Sequence, residues 1–384
     1  RIRFVRCRMI YLDNAATTRV SERAIACAVE YGRERFFNPS AGYAEALSVR
    51  KDIDGAAETI AELLGADRSE IVFTSCATES NNAAFECGIK NKKGNVVVSA
   101  GEHSSGYECA LRLKSRGMDV RFVPLNASGS MDVDAFMDAV DKDTAFVSVI
   151  HCSNETGAIN DISELCSAVK QKAPRAVFHS DGVQAFCKIP IDIHAAGVDL
   201  YSVSAHKVGG YKGVGAMYIR KGFNMQPFMA GGGQQNGRRS GTENVAGITG
   251  FAQAAKEYAE KAARFDAHAL RGIFVRRFSE LPYAVINGDE NGSGYVLSVS
   301  FEHLRGEVLA HMAEEQGVLI GLGSACSSHI RTNRVLEAMG VDKRYAGGSI
   351  RISFCPDTTK EDAEYAASVI ATCAEKLRRT IVNG

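Results

Sequence analysis

The sequence predicts an α/β protein whose mainly parallel sheet is covered by helices on both faces. Six short runs that are apolar on both faces alternate with helical stretches, and they begin at residues 71, 96, 120, 145, 176 and 200. Such strands are buried on both sides, which is typical of parallel sheets. The 384 residues, 45% of them hydrophobic, suffice for this sheet and a second, smaller unit.

Two helices are predicted before the sheet. The first begins after Ser21, a residue type favoured at helix N-caps, and ends near Arg35. The second extends from about Tyr43 to Leu64 and ends at Gly65, because glycine readily adopts the left-handed conformation that closes a helix.

The sequence that follows the predicted sheet indicates a second structural unit. A glycine-rich loop over residues 231–242 precedes a long helix from Val245 to about Leu281. The remaining predicted elements are strands at 295–301 and 349–354, a helix over 306–316 and a closing helix over 359–381. We expect a large domain over 16–262, a small domain made of 9–15 and 263–384, and a poorly ordered extension at 1–8.

Charge and cysteine content restrict the class of function. The 45 basic and 45 acidic residues cancel, so the chain lacks the basic surplus of proteins that bind nucleic acid or anionic membranes. No run approaches the roughly 18 apolar residues of a membrane span. The 11 cysteines form no Cys-x-x-Cys pair, which indicates free thiols in a reducing, cytoplasmic environment.

Polar segments follow the predicted strands. They are residues 74–80, 101–105, 151–157, 180–184 and 204–207. Because ligands bind at the carboxyl ends of parallel strands, we expect these segments to form one site.

Two of these residues together indicate a site that could bind a pyridine-containing cofactor through an imine. Lys207 leaves a buried strand, where its amine can be desolvated and act as an imine-forming nucleophile. Asp181 follows the preceding strand, and a carboxylate there keeps a pyridine nitrogen protonated, as pyridoxal phosphate requires. Taken alone, Lys207 is more often a solvated loop lysine, and Asp181 is as often a helix cap or turn residue.

Phosphate and ring contacts are predicted nearby. Ala77 and Thr78 begin a helix and supply N–H and hydroxyl donors, with Ser204 and His206 as further candidates. His103 is placed to stack on a cofactor ring and relay protons. The alternatives are an N-cap for Thr78 and a structural histidine for His103.

In this context the chain resembles the cysteine desulfurases, pyridoxal-phosphate enzymes with the aspartate aminotransferase fold, or fold type I. Seven motifs occur in the family's order: Ala77-Thr-Glu-Ser-Asn-Asn, Glu102-His, Asn154-Glu-Thr-Gly, Asp181-Gly-Val-Gln-Ala, Ser204-Ala-His-Lys, Arg239-Ser-Gly-Thr and Gly323-Ser-Ala-Cys. The resemblance implies a large domain with a mainly parallel seven-stranded sheet and a smaller α+β C-terminal domain.

The resemblance also implies residue roles. Lys207 would carry the cofactor and move protons, Asp181 would bind the pyridine nitrogen, and His103 would stack on the ring and take part in catalysis. Gln184 would bind the phenolic oxygen. The implied phosphate ligands are Ala77, Thr78, Ser204, His206 and, from the other subunit of a homodimer, Thr242; Asn154 and Arg351 would hold the substrate carboxylate.

Cys326 would be the second catalytic centre, in a loop over about 321–335. The implied reaction converts L-cysteine to L-alanine and leaves a persulfide on Cys326, which an iron–sulfur scaffold or another sulfur-acceptor protein then receives. Alternatives with the same fold are a selenocysteine lyase and a small-amino-acid aminotransferase. A nucleotide-binding or interaction protein that uses Gly231-Gly-Gly as a phosphate loop is the alternative from another class.

Four residues depart from the family pattern. Tyr43 stands where histidine is usual, Ala46 and Cys76 where glycine is common, and Asn236 where arginine is common. They concern the mouth of the site and the dimer contacts rather than Lys207, Asp181 or Cys326.

Overall fold

The computed structural model describes residues 9–323 and 333–382. The strands are β1 (Ile10–Leu12), β2 (Ile71–Thr74), β3 (Asn95–Ser99), β4 (Val120–Val123), β5 (Thr144–Ser148), β6 (Val177–Asp181), β7 (Leu200–Ser204), β8 (Gly215–Ile219), β9 (Ala284–Asn287), β10 (Val296–Phe301), β11 (Val318–Ile320) and β12 (Ser349–Ser353). The expected extension at 1–8 lies outside the described residues.

The helices surround these strands. They are α1 (Glu22–Arg33), α2 (Ala44–Leu64), α3 (Ala77–Ala83), α4 (Ser104–Ser115), α5 (Val133–Ala139), α6 (Ile162–Lys172), α7 (Ile193–Ala196), α8 (Val245–Ala262), α9 (Ala267–Ser279), α10 (Gly306–Glu314), α11 (Arg334–Ala338), α12 (Lys343–Ala346) and α13 (Lys360–Val382). Within the described residues, no helix combines the length and apolar character needed to cross a bilayer.

The central sheet has seven strands in the order β2-β8-β7-β6-β5-β3-β4. Only β8 runs antiparallel to its neighbours, so the predicted, mainly parallel sheet is confirmed. The sequence did not reveal β8, which follows β7 after a glycine-rich turn; so short a connection returns the chain antiparallel. Alternate residues of each strand enter different apolar clusters: Val97 packs on one face of the sheet, and Val96 and Val98 pack on the other.

A second core lies around the C-terminal elements. Strands β9, β10 and β12 form an antiparallel sheet, and β1 pairs in parallel with β11. Phe274 of α9, Leu297 of β10 and Ile370 of α13 are fully buried in this core, together with Leu12 of β1. The domain boundaries given above stay a prediction.

Two helix ends are confirmed and one helix is corrected. Ser21 Oγ accepts a hydrogen bond from Ala24 N at 3.2 Å, and Gly65 has φ +68° at the end of α2. The single helix predicted over 245–281 is wrong, because the chain breaks between α8 and α9. There the Asp266 side chain accepts from Ala269 N at 2.9 Å and begins a new helix.

Candidate active site

A cavity of about 460 Å³ opens at the carboxyl ends of the central strands. Ten of the twelve predicted site residues line it: Ala77, Thr78, His103, Asn154, Asp181, Gln184, Ser204, His206, Lys207 and Arg351. Thr242 is exposed and is not among the lining residues, and Cys326 lies outside the described residues. Gly323, three positions before Cys326, does line the cavity.

Lys207 ends a single 3-10 turn that follows β7. Its amine donates to the carbonyl oxygens of Ala15 at 2.6 Å and Ala16 at 2.7 Å. Burial, with Lys188 and Arg351 nearby, lowers the pKa of the Lys207 amine to about 7. A substantial fraction of this amine is therefore uncharged at neutral pH and able to act as a nucleophile.

Asp181 is the last residue of β6 and is only 3% exposed. Its Oδ1 accepts from Val183 N at 3.0 Å, and its Oδ2 accepts from Asn81 Nδ2 at 2.7 Å. Both carboxyl oxygens thus accept an N–H donor, and these two contacts fix the orientation of the Asp181 carboxyl group in the cavity wall.

Glu102 is a second buried carboxyl group near Asp181, and the sequence reasoning gave it no role. Burial, followed by the charge of Asp181, raises the pKa of Glu102 to about 8. Ser148 Oγ donates to Glu102 Oε2 at 3.2 Å. Glu102 therefore largely keeps its proton at neutral pH.

Four of the five predicted phosphate ligands, Ala77, Thr78, Ser204 and His206, line the cavity. Ser204 Oγ is buried without a hydrogen-bond partner among the described residues, whereas the Thr78 side chain is exposed to the cavity. Burial and the nearby charge of Lys207 lower the pKa of His206 to about 4, so its imidazole is neutral. A hydroxyl donor that lacks a protein partner in a lysine-bearing cavity fits a phosphate oxygen.

Gln184 is oriented by contacts on both sides of its amide. Its Nε2 donates to Ala15 O at 2.9 Å, and its Oε1 accepts from Lys188 Nζ at 3.2 Å. The Lys188 amine lies 6.0 Å and 5.9 Å from the ring centroids of Tyr258 and Tyr295, and burial lowers its pKa to about 8. These contacts leave one Gln184 N–H to bind a phenolic oxygen.

Arg351 lines the same cavity and is held there by several hydrogen bonds. Its side chain is nearly buried on β12, and its Nη2 donates to Asp13 Oδ1 at 2.9 Å while Nη1 donates to Asn154 O at 3.0 Å. Glu155 Oε1 lies 3.5 Å from the same Nη1. A planar guanidinium fixed in this way is suited to a carboxylate, and the sequence reasoning did not identify its acidic partners.

Glu155 also contacts both sides of the undescribed segment that contains Cys326. Its Oε2 accepts from Asn333 Nδ2 at 2.7 Å, and its Oε1 accepts from Asn154 Nδ2 at 2.6 Å. Gly323 has φ +63°, and a Cβ placed there would collide with Glu155 Oε2. Residues 323 and 333 therefore meet at one buried carboxylate.

Arg334 is a further cavity residue that the sequence reasoning missed. Its guanidinium stacks on the Tyr107 ring, 3.8 Å from the centroid, and donates to the carbonyl oxygens of Ala100 and Glu102. The start of α11 is thereby fixed against the segment that carries His103.

Known proteins resemble this chain over nearly its whole length. Residues 10–365 match the model of the family described as Aminotransferase class-V. The cysteine desulfurase IscS of Dictyoglomus turgidum is 37% identical over 381 residues, which covers 97% of this chain and 96% of the relative.

Solved structures give the same result. A NifS-like protein superposes with a TM-score of 0.90 at 35% identity and covers 96% of this chain and 100% of its own. SspA in complex with cysteine has a TM-score of 0.80 at 31% identity, with coverage of 91% and 99%.

Proposed function

The chain belongs to the class-V aminotransferase family and is a pyridoxal-phosphate-dependent cysteine desulfurase, and on this premise we propose how its residues perform the reaction. The observation that carries the proposal is the placement of Lys207 and Asp181 at the ends of adjacent strands, facing one cavity. The lowered pKa of the Lys207 amine supports its role as the covalent attachment point.

Pyridoxal phosphate, when bound, withdraws electrons from the substrate Cα and so makes its proton removable. In our proposal Asp181 holds the pyridine nitrogen, Gln184 the phenolic oxygen and His103 the ring face. Ala77, Thr78, Ser204 and His206 bind the phosphate. The Ser204 hydroxyl, which has no hydrogen-bond partner in the part of the chain that the structure describes, supports this placement.

Substrate orientation falls to Arg351 and Asn154, which bind the carboxylate of L-cysteine. Lys207 Nζ lies in the same cavity and removes the Cα proton. The Cys326 thiolate attacks the substrate sulfur, so that an S–S bond forms while the substrate C–S bond breaks. Protonation of the remaining three-carbon product gives L-alanine, and the balance is L-cysteine plus enzyme thiol to L-alanine plus enzyme persulfide.

Lys207→Ala tests the attachment point. The variant should lose the cofactor's visible absorbance, its reduction by borohydride and the formation of L-alanine. Lys221→Ala, at an exposed lysine beyond the end of β8, is the matched control and should keep all three. A Lys207→Ala protein that still forms L-alanine at the wild-type rate would overturn the assignment.

We further propose a homodimer in which Thr242 completes the partner's phosphate site. Thr242 is exposed, and Arg50 joins its neighbour Glu243 to Pro39 through hydrogen bonds. The exposed aromatic residues Phe36 (67% exposed) and Tyr43 (49% exposed) flank Pro39 in sequence and support an interface in this region. Mixing Lys207→Ala with Thr242→Ala protein should give one intact site per hybrid dimer and restore activity. Absence of restoration in a verified hybrid would contradict the shared site.

The sulfur acceptor is proposed to be a protein of the cytoplasm, with an iron–sulfur scaffold as first candidate. The name IscS of the Dictyoglomus turgidum relative supports this direction. Incubation of the ³⁵S-persulfide enzyme with candidate scaffolds should move the label to a scaffold cysteine. Label that leaves only as free sulfide would argue against such a partner.

A further inference from the structure

A chain of hydrogen bonds joins Asp181 to His103 through two residues that have no role in the steps above. Asn81 Nδ2 donates to Asp181 Oδ2 at 2.7 Å and to Ser105 Oγ at 2.8 Å. Ser105 Oγ lies 2.8 Å from His103 Nδ1. Asn81, Asp181 and Ser105 are buried, whereas the His103 ring is exposed in the cavity.

The direction of each hydrogen bond follows from the chemistry of the groups. The Asp181 carboxylate only accepts, so the Asn81 amide must turn its nitrogen toward it. The second N–H of the same amide donates to Ser105 Oγ, which leaves the serine proton for His103 Nδ1. Ser105 N also donates to His103 Nδ1, at 3.2 Å. Both contacts require a lone pair on Nδ1.

We propose that Asn81 and Ser105 are positioning residues that hold His103 as the neutral tautomer with its proton on Nε2. The proposal rests on the proposed function, in which Asp181 and His103 both contact the cofactor. One amide group then orients the carboxylate that faces the pyridine nitrogen and, through Ser105, the imidazole on the ring face. Nε2 has no partner among the described residues, so its N–H is available to a group in the cavity.

Helix capping is the competing explanation, because His103 is the N-cap of α4. A cap requires only the backbone N–H of Ser105, which a Ser105→Ala variant keeps, and it does not involve Asn81. If capping alone matters, neither Ser105→Ala nor Asn81→Ala changes the tautomer. If the chain of hydrogen bonds matters, both variants increase the fraction of His103 that carries its proton on Nδ1.

Nitrogen NMR of ¹⁵N-histidine-labelled, cofactor-free protein tests the tautomer directly, with a His103→Gln spectrum to identify the signal. Wild type should show a protonated Nε2 and an unprotonated Nδ1 at neutral pH. Ser105→Ala and Asn81→Ala should shift the signals toward a mixture, and Ser105→Thr, which keeps the hydroxyl, should restore the wild-type pattern. A wild-type proton on Nδ1, or unchanged spectra in both variants, overturns the proposal.

Kinetics supply the second readout. Ser105→Ala should lower kcat about three- to tenfold, the effect of one hydrogen bond, with KM for L-cysteine within about twofold. Ser115→Ala, at the exposed end of α4, is the control and should leave kcat unchanged. The NMR experiment uses neither cofactor nor substrate, so it reports the His103 tautomer even if the proposed reaction is wrong. An unchanged kcat in Ser105→Ala would contradict the catalytic consequence.

Discussion

The stability of a Glu102→Gln variant, compared with that of the wild type, should increase as the pH rises. The wild-type carboxyl is buried in the folded state, where its pKa is raised from 4.5 to about 8. Between these values the folded state binds one proton more than the unfolded chain, so the free energy of unfolding of the wild type falls with increasing pH. Glutamine keeps the neutral shape and does not titrate.

The size of the effect follows from the width of this pH window. Each pH unit within it changes the free energy of unfolding by about 1.4 kcal/mol. Across pH 4.5–7 the difference between Glu102→Gln and wild type should therefore move by about 3 kcal/mol in favour of the variant. Contributions from groups common to both proteins, such as Lys207, cancel in this difference.

Urea unfolding of the cofactor-free proteins at pH 5, 6, 7 and 8 measures this difference. Glu108→Gln, on the exposed face of α4, is the matched control and should track the wild type at every pH. A constant offset between Glu102→Gln and wild type would refute the reasoning. In that case Glu102 does not hold a proton in the folded state across this pH range.

Three further substitutions have definite expected outcomes. Gly182→Ala should lower the free energy of unfolding by about 3 kcal/mol, because a Cβ would overlap the fully buried Tyr201 ring. In the same urea titration Gly32→Ala, which has open space within α1, should not lower it, since alanine favours the helix. Gly323→Ala should lower the free energy of unfolding by about 1–2 kcal/mol, because the φ of +63° disfavours alanine, and its Cβ should displace Glu155. Calorimetry should show a lower Tm than that of the wild type, and an equal Tm would contradict this packing. Arg351→Lys should raise KM for L-cysteine about tenfold, because lysine cannot form paired hydrogen bonds with the substrate carboxylate. Steady-state kinetics measures this change, and an unchanged KM would contradict the role of Arg351 in binding that carboxylate.

Strand positions were predictable where burial on both sides left an apolar run. The segments beginning at Ile71 and Val96 are strands for this reason. Strand β8 escaped prediction because its first residue, Gly215, belongs to a glycine-rich turn. The helix break was missed because Asp266 lies within a continuous helical pattern, so that its role as an N-cap did not stand out from that of an exposed helix residue.

The meeting of candidate site residues in one cavity was predictable where they lie at strand ends, since parallel strands end at one edge of the sheet, while their roles stay a proposal. This accounts for Lys207, Asp181 and His103. The contact of Glu155 with Asn333 spans 178 positions, and its existence depends on how the C-terminal elements pack on the central sheet. Local patterns carry no information about such a pair, and the same holds for the orientation of Asn81.

Location of the transferred sulfur tests the central claim most directly. The wild-type protein is incubated with L-cysteine, its persulfides are alkylated, and the labelled peptide is identified by mass spectrometry. We expect the extra sulfur on Cys326, and we expect Cys326→Ala to keep the cofactor's absorbance but form no persulfide. Sulfur found instead on Cys76, a cysteine that lines the cavity, or undiminished persulfide in Cys326→Ala, would contradict the account.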